Sequence, residues 1–107
     1  MSGMGEMGNL LKQAQEMQRQ LEKAKAELAN AKIEGRAGGG VVSVTLNGDR
    51  TEIHGVHIDP TVLEQNDPTM VEDLLRGAIS DALRRAKQNE DETLSKLTGG
   101  IHLPGLG

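Results

Sequence analysis

Apolar residues recur in a strict heptad rhythm through the first third of the chain, with steps that alternate between four and three residues. The members of this heptad seam are Leu10, Ala14, Met17, Leu21, Ala24, Leu28 and Ala31. A mean step of about 3.5 residues is typical of a helix that packs a narrow stripe against another helix. Because a stripe two residues in seven wide cannot enclose a core, the chain needs a second surface, either its own or a partner's.

The composition makes that need stronger. The 107 residues are enough for one domain, yet they include no Phe, Tyr or Trp. Aromatic side chains usually supply the largest single burials in a core, so an aliphatic core of this size is thin, and a homodimer with a shared core would relieve the deficit. The absence of cysteine excludes disulfides and thiolate metal sites.

Neither the hydropathy pattern nor the N-terminus indicates a membrane or secreted protein. No apolar run approaches the ~20 residues of a membrane span, and the first residues lack a basic region followed by an apolar one. We therefore expect a cytoplasmic protein with no membrane partner.

Three regions are expected along the chain. Residues 1–8 contain three glycines and no periodicity, which predicts a flexible N-terminus. Residues 9–98 are expected to form the single domain, beginning with a helix from about Asn9, a good N-cap, to about Ala31. Residues 99–107, after a Gly-Gly stop, are expected to form an irregular tail.

Glycines and alternating residues predict a small sheet in the middle of the chain. A short extended segment around Ile33 precedes the glycine run 38–40, and apolar residues alternate over 42–46. The Asn47-Gly48 pair predicts a type I′ hairpin turn. A return strand is expected over 51–58, with a bulge at Gly55 that resets the alternation.

Two Asp-Pro pairs predict the starts of the last helices, a short one after Asp59 and a long one after Asp67. The long helix has a broad apolar face made of Val71, Leu74, Leu75, Ala78, Ile79, Ala82, Leu83 and Ala86. Residues 87–93 contain no apolar side chain, so any helix there is expected to overhang in solvent. The predicted fold is α+β: long helix, small three-stranded antiparallel sheet, short helix, long helix. Since a strand spans only ~17–20 Å, both long helices should project beyond the sheet as arms.

Catalytic and cofactor-binding patterns are missing. His54 and His57 lie three apart, which on a regular strand places them on opposite faces, so a metal site is not expected. The glycine run over 35–40 precedes a strand and not a helix, so it predicts a hairpin connection and not a phosphate loop. We expect no enzymatic activity, no small-molecule substrate and no cofactor.

Two groups of basic residues are candidates for contacting phosphate: Lys12, Arg19 and Lys23 on the first helix, and Arg84, Arg85 and Lys87 near the far end of the last one. The first group shares the face opposite the heptad seam and is either a phosphate-contacting stripe or an ordinary solvated face. In the second group, Asp81 lies four residues before Arg85 and can pair with it. The net charge of −4 gives the chain as a whole no general affinity for nucleic acid.

Five segments, in matching order, resemble the YbaB/EbfC family of nucleoid-associated proteins: 4–15 (MGEMGNLLKQAQ), 38–42 (GGGVV), 44–48 (VTLNG), 58–60 (IDP) and 97–101 (LTGGI). The resemblance implies a bacterial cytoplasmic homodimer that associates through its sheets, with helices protruding like the arms of tweezers. It implies binding of double-stranded DNA in the nucleoid, with a role in nucleoid organisation and gene regulation, through the basic residues on the arms. It brings no catalytic residues or cofactors. The last helix departs from the family in charge, since it is markedly acidic with Glu90-Asp91-Glu92 near its tip, and this predicts DNA binding that is neither strong nor salt-resistant.

A second hypothesis remains open from the residues. The heptad seam over 10–31 could dock a partner's helix, making the chain a protein-interaction scaffold without direct DNA binding. With no aromatic side chains to stack on bases, any DNA binding should be mainly electrostatic and should weaken steeply with salt.

Overall fold

The computed structural model describes the backbone of residues 2–97 and the side chains from residue 5 onward. The elements, in chain order, are α1 (Ser2–Asn30), β1 (Lys32–Ala37), a glycine turn (Gly38–Gly40), β2 (Val42–Asn47), β3 (Ile53–Ile58), α2 (Pro60–Leu63) and α3 (Pro68–Leu97). This order confirms the predicted α+β architecture. The irregular tail expected over 99–107 lies outside the described residues.

Helix α1 begins earlier than its sequence predicted. It starts at Ser2, so the N-cap prediction at Asn9 is wrong. An isolated glycine costs a helix only about 1 kcal/mol relative to alanine, and the glycines of this segment do not end the helix. The flexibility expected of residues 1–8 stays a prediction.

Both Asp-Pro starts are confirmed. The Asp59 carboxylate accepts a hydrogen bond from the backbone N–H of Thr61 at 2.9 Å, at the start of α2. The Asp67 carboxylate accepts one from the N–H of Met70 at 3.1 Å, at the start of α3. Each carboxylate satisfies a backbone donor that has no partner inside its helix.

The sheet is antiparallel in the order β1-β2-β3, and the predicted bulge is present in β3. Thr45 pairs with Gly55, whereas the next residue of β2, Leu46, pairs with Ile53. His54 is therefore the additional residue. The strand itself begins at Ile53, two positions later than expected.

The bulge overturns the prediction for the two histidines. His57 pairs with Ser43, on the face of the sheet away from α3. His54 lines a shallow depression with Thr45, Glu34 and Lys32 on that same face. The expectation of opposite faces assumed a regular strand, and the extra residue cancels it.

The connection between β2 and β3 is not the predicted type I′ turn. It is longer, and the residue in the left-handed region is Arg50, with φ 63°, whereas Gly48 does not adopt a positive φ. The buried Asn47 side chain organises it, because its Oδ1 accepts from the N–H groups of Thr51 and Glu52 at 3.0 and 2.9 Å. Gly48 is needed for another reason: a Cβ there would lie 2.5 Å from the carbonyl oxygen of Leu28.

A stripe of small residues lets α3 lie directly on the sheet. Ala78, Ala82 and Ala86 are fully buried. Ala78 and Ala82 pack with the inward-facing residues of β2, Val42, Val44 and Leu46. A Cβ on Gly35 of β1 would lie 2.2 Å from the backbone nitrogen of Ala82, so helix and strand meet backbone to backbone. The predicted apolar face of α3 is confirmed, although Leu83 remains 43 % exposed.

The last part of α3 does not overhang as predicted. It continues through residues 87–93 and packs along α1, with Thr93 and Leu97 half-buried. The inner half of the heptad seam supplies the contact, since Ala24 and Leu28 are buried. Residues 5–20 of α1, by contrast, are exposed at every position. We call this segment the α1 arm.

We expect Gly35→Ala to destabilise the fold by about 1–3 kcal/mol, because overpacking against immobile backbone forces helix and strand apart. Urea denaturation measures the loss. Gly55→Ala is the matched control in the same sheet, since its Cβ would meet nothing within 4 Å. Equal effects of the two substitutions would contradict the close approach of α3 to β1.

Candidate nucleic-acid interface

Helix α1 carries the first group of candidate residues on its outer face, with Lys12 and Arg19 on the α1 arm and Lys23 just beyond its base. Lys12, Arg19 and Lys23 recur at spacings of seven and four, so they form one line along the helix, opposite the heptad seam. We call this line the outer stripe. All three side chains are exposed, as a surface that meets phosphate requires.

A cleft of about 400 Å³ between α1 and α3 brings part of this stripe together with a third cation. Arg19 and Lys23 line it from α1, and Lys96 lines it from the last turn of α3. Glu27 is the acidic residue in the same lining. Sequence reasoning missed Lys96 because it lies far from the stripe along the chain. The signal that could have found it is the antiparallel packing of α3 on the heptad seam.

The cations of the outer stripe are engaged in little ion pairing within the described residues. Arg19 pairs with Glu16 at 2.5 Å, and the two side chains are 74 % and 50 % exposed. The pair lowers the pKa of Glu16, chiefly through the hydrogen bond from Arg19, and raises the pKa of Arg19. Exposed pairs contribute little to stability, so a phosphate can replace Glu16 at small cost. Within the described residues, Lys12 and Lys23 form no salt bridge.

The second group of candidates lies on the body of the protein and not on a projecting tip, which corrects the sequence prediction. The fully buried Ala82 and Ala86 flank Arg84 and Arg85 along α3, so this part of the helix lies on the core. Lys87 follows directly and pairs with Asp91 at 3.2 Å and Glu90 at 3.9 Å.

Asp81 is the centre of this second group. Its Oδ2 accepts from the backbone N–H of Arg36 at 3.0 Å and from Nε of Arg85 at 3.0 Å, while Arg84 contacts the other oxygen. The Arg36 N–H and then Arg85 hold the pKa of Asp81 below its ordinary value. The carboxylate, whose side chain is 13 % exposed, thus joins α3 to the edge of β1. Arg84 and Arg85 therefore bind a carboxylate that connects α3 to β1, whereas Glu16, the partner of Arg19 in the outer stripe, lies on the same helix as Arg19.

Other kinds of site are not found in the part of the chain that the structure describes. No group of three or more His, Asp or Glu side chains there could hold a metal ion. Across residues 2–97, no helix combines the length and apolar character needed to cross a membrane.

Two comparisons relate this fold to known proteins. The model of the YbaB/EbfC DNA-binding family matches residues 4–101, nearly the whole chain. Among solved structures, the chain is similar to the crystal structure of an uncharacterized protein from Helicobacter pylori, with a TM-score of 0.68 and 25 % sequence identity. That similarity covers 87 % of this chain and 94 % of the other.

We expect Asp81→Ala to lower the free energy of unfolding at pH 7 more than Asp73→Ala, which removes an exposed carboxylate paired with Arg76 on the same helix. Because the folded state lowers the pKa of Asp81, its charge stabilises the fold above the ordinary pKa of 3.8, and that contribution is lost as the pH falls through the folded-state value. Denaturation at several pH values should show the gap between the two variants narrowing in acid. A gap that widens in acid would contradict the assigned role.

Proposed function

The chain belongs to the YbaB/EbfC DNA-binding family, and from this premise we propose that it binds double-stranded DNA as a homodimer, mainly through phosphate contacts from the α1 arms. Its role is nucleoid organisation and gene regulation in the bacterial cytoplasm, without catalysis or a cofactor. The observation that supports the mode of binding is the outer stripe: three exposed cations in line on a helix that projects from the body.

The dimensions of the outer stripe suit a duplex backbone. From Lys12 to Lys23 the helix rises roughly 16 Å at 1.5 Å per residue. One strand of B-DNA advances ~3.4 Å along the axis per phosphate, so the stripe has the axial length of about five phosphates. Lys96, beside Arg19 and Lys23 in the cleft, adds a fourth cation at the base of the arm.

The acidic run near the end of α3 opposes DNA less than its sequence implies. Glu90 pairs with Arg50 at 2.9 Å, and Asp91 pairs with Lys87 at 3.2 Å. Two of the three negative charges are thus compensated locally. Arg84, Arg85 and Lys87 remain candidates for DNA contact, with smaller contributions than the outer stripe because their charges are already shared with carboxylates.

The proposed dimer surface is the β3 side of the sheet. Val56 pairs with the buried Val44, and Ile53 with the buried Leu46, so both point to the helix-covered face. Yet α3 lies over β1 and β2, and these two residues stay 54 % and 58 % exposed. At the opposite edge, Asp81 already occupies the N–H of Arg36 on β1. A second subunit at β3 would complete the thin aliphatic core.

Neutralising the outer stripe should weaken DNA binding and reduce its salt dependence. The triple variant Lys12→Gln, Arg19→Gln, Lys23→Gln removes about six phosphate contacts per dimer, so the slope of log K against log salt should fall by up to ~5, at ~0.9 per contact. At low salt we expect at least a tenfold loss of affinity. Fluorescence anisotropy with a duplex at several salt concentrations measures both.

The matched control removes the same charge elsewhere: Lys25→Gln, Lys32→Gln and Arg76→Gln, all at exposed positions off the stripe. It should retain most of the affinity. If the two triple variants bind equally weakly, net charge and not the stripe carries the interaction.

Arg84→Gln with Arg85→Gln should reduce binding less than the stripe variant does.

Charges on the β3 side should break the dimer. We expect Ile53→Asp with Val56→Asp to give a folded monomer, because each buries an unpaired carboxylate in the proposed interface. Light scattering coupled to size exclusion gives the mass, and circular dichroism checks the fold. Leu63→Asp, at an apolar position 56 % exposed on α2, is the control and should leave the dimer intact. A dimer that survives the β3 substitutions places the interface elsewhere.

The alternative, a protein-interaction scaffold without direct DNA binding, rests on the outer half of the heptad seam, which α3 leaves uncovered. Leu10 and Met17 are 64 % and 54 % exposed there. The salt titration separates the two functions, since a scaffold of this kind shows no duplex binding at low salt.

A further inference from the structure

The heptad seam is covered along only half its length. Its inner half packs on α3 of the same chain, with Ala24 and Leu28 buried. Its outer half continues in the same rhythm to Met7, three residues before Leu10. We call Met7, Leu10, Ala14 and Met17 the distal seam; all four are exposed, the three large side chains by 68 %, 64 % and 54 % in that order. Isolated exposed apolar residues are ordinary, but a continuous heptad stripe is a packing surface.

We propose that the distal seam pairs, antiparallel, with the distal seam of a second copy of this chain, joining dimers arm to arm. The pairing goes beyond DNA binding and does not require it, whereas the joining of dimers rests on the proposed homodimer. Its basis is the pattern of side chains along the arm.

The distal seam is complementary to itself about a two-fold axis near residue 12. In an antiparallel pair, first and fourth heptad positions face each other across the interface. This register places Met7 against Met17 of the second copy and Leu10 against its Ala14, and the two-fold repeats both contacts. Large side chains close the two ends, and large opposes small in the middle, so the layers fill without overpacking.

The residues that flank these layers also fit the same register. On one flank, Leu11 meets Leu11 of the second copy, which gives a reason for a leucine that is 61 % exposed outside the seam. On the other flank, Gln13 meets Gln13, and Glu6 meets the uncharged Gln20. No like charges oppose each other, although charged residues are frequent elsewhere on α1.

The outer stripe remains free in this arrangement. Lys12 and Arg19 lie on the side of α1 opposite the seam, so an arm can bind phosphate and a second arm together. One pairing is weak by itself, because the stretch from Met7 to Met17 is roughly 15 Å long and buries less than the ~1,200 Å² of a stable interface. Two arms per dimer, and dimers held close together on one duplex, raise the effective concentration at which arms meet.

The first test is sedimentation over a concentration series without DNA. The wild type should shift from dimer to species of twice the mass or more as concentration rises. Leu10→Glu should abolish the shift, whereas Gln15→Glu, which adds the same charge on the outer side of the arm, should keep it. A wild type that shows no shift up to millimolar concentration, or equal behaviour of the two variants, would overturn the proposal.

The β3 variants keep this result separate from the proposed dimer. If arm pairing exists, Ile53→Asp with Val56→Asp should still self-associate at high concentration, and adding Leu10→Glu should remove the remainder. If the β3 variant never associates at any concentration, the distal seam does not pair and the proposal fails, whatever the outcome for DNA binding.

The register is tested with single cysteines, because the chain has none of its own. Under oxidation, Gln13→Cys should form a disulfide-linked pair at least tenfold faster than Gln15→Cys. A parallel pairing would not bring residue 13 to its counterpart, so equal rates would overturn the antiparallel register.

If another partner covers the distal seam, these experiments give different results. If residues 98–107 cover it within the same chain, removing them should strongly increase association of the wild-type arm, and this would overturn pairing as its main role. If the seam instead contacts DNA, Leu10→Glu should lose duplex affinity in dilute solution, where arm pairing is negligible, and this too would overturn the proposal.

Discussion

The contact between α3 and β1 at Gly35 sets the geometry of the whole molecule. With no aromatic side chains, the core can be filled only if helix and sheet approach closely, and the alanine stripe of α3 allows this where a glycine faces it. That approach centres α3 over β1 and β2. Three features follow from it: β3 stays uncovered, the Asp81 carboxylate accepts a hydrogen bond from the Arg36 N–H, and α3 continues toward α1.

The local features of the fold could be predicted from the sequence because they depend on neighbouring residues. The caps at Asp59 and Asp67 and the bulge before Gly55 are properties of a few consecutive residues, and the structure contains all three. The turn prediction at Gly48 failed because it needed a contact across the chain: a Cβ at Gly48 would meet the carbonyl oxygen of Leu28. The start of α1 failed for a local reason, since the glycines near its N-terminus lower helix propensity without ending the helix.

The same distinction applies to the candidate site. Helical spacing alone placed Lys12, Arg19 and Lys23 on one face, and the structure keeps all three exposed. Spacing could not place Lys96 beside Arg19, since that requires the antiparallel packing of α1 on α3. Nor could it show that Arg84 and Arg85 are committed to Asp81, a carboxylate whose position is determined by the edge of β1. Charge patterns in sequence therefore give the sign of a surface, whereas its availability depends on tertiary contacts.

The loop between β2 and β3 connects the sheet to the end of α1 and to α3. The N–H of Gly48 donates to the carbonyl of Ala31, the residue that follows α1, at 3.1 Å, and Arg50 pairs with Glu90 of α3. The α1 arm is therefore held in place at its C-terminal end. Over the roughly 23 Å from residue 20 to residue 5, a 10° tilt at the base of the arm moves the free end by about 4 Å, which is comparable to the ~3.4 Å that one strand of B-DNA advances along its axis per phosphate. The loop between β2 and β3 thus limits how far the free end of the arm can move.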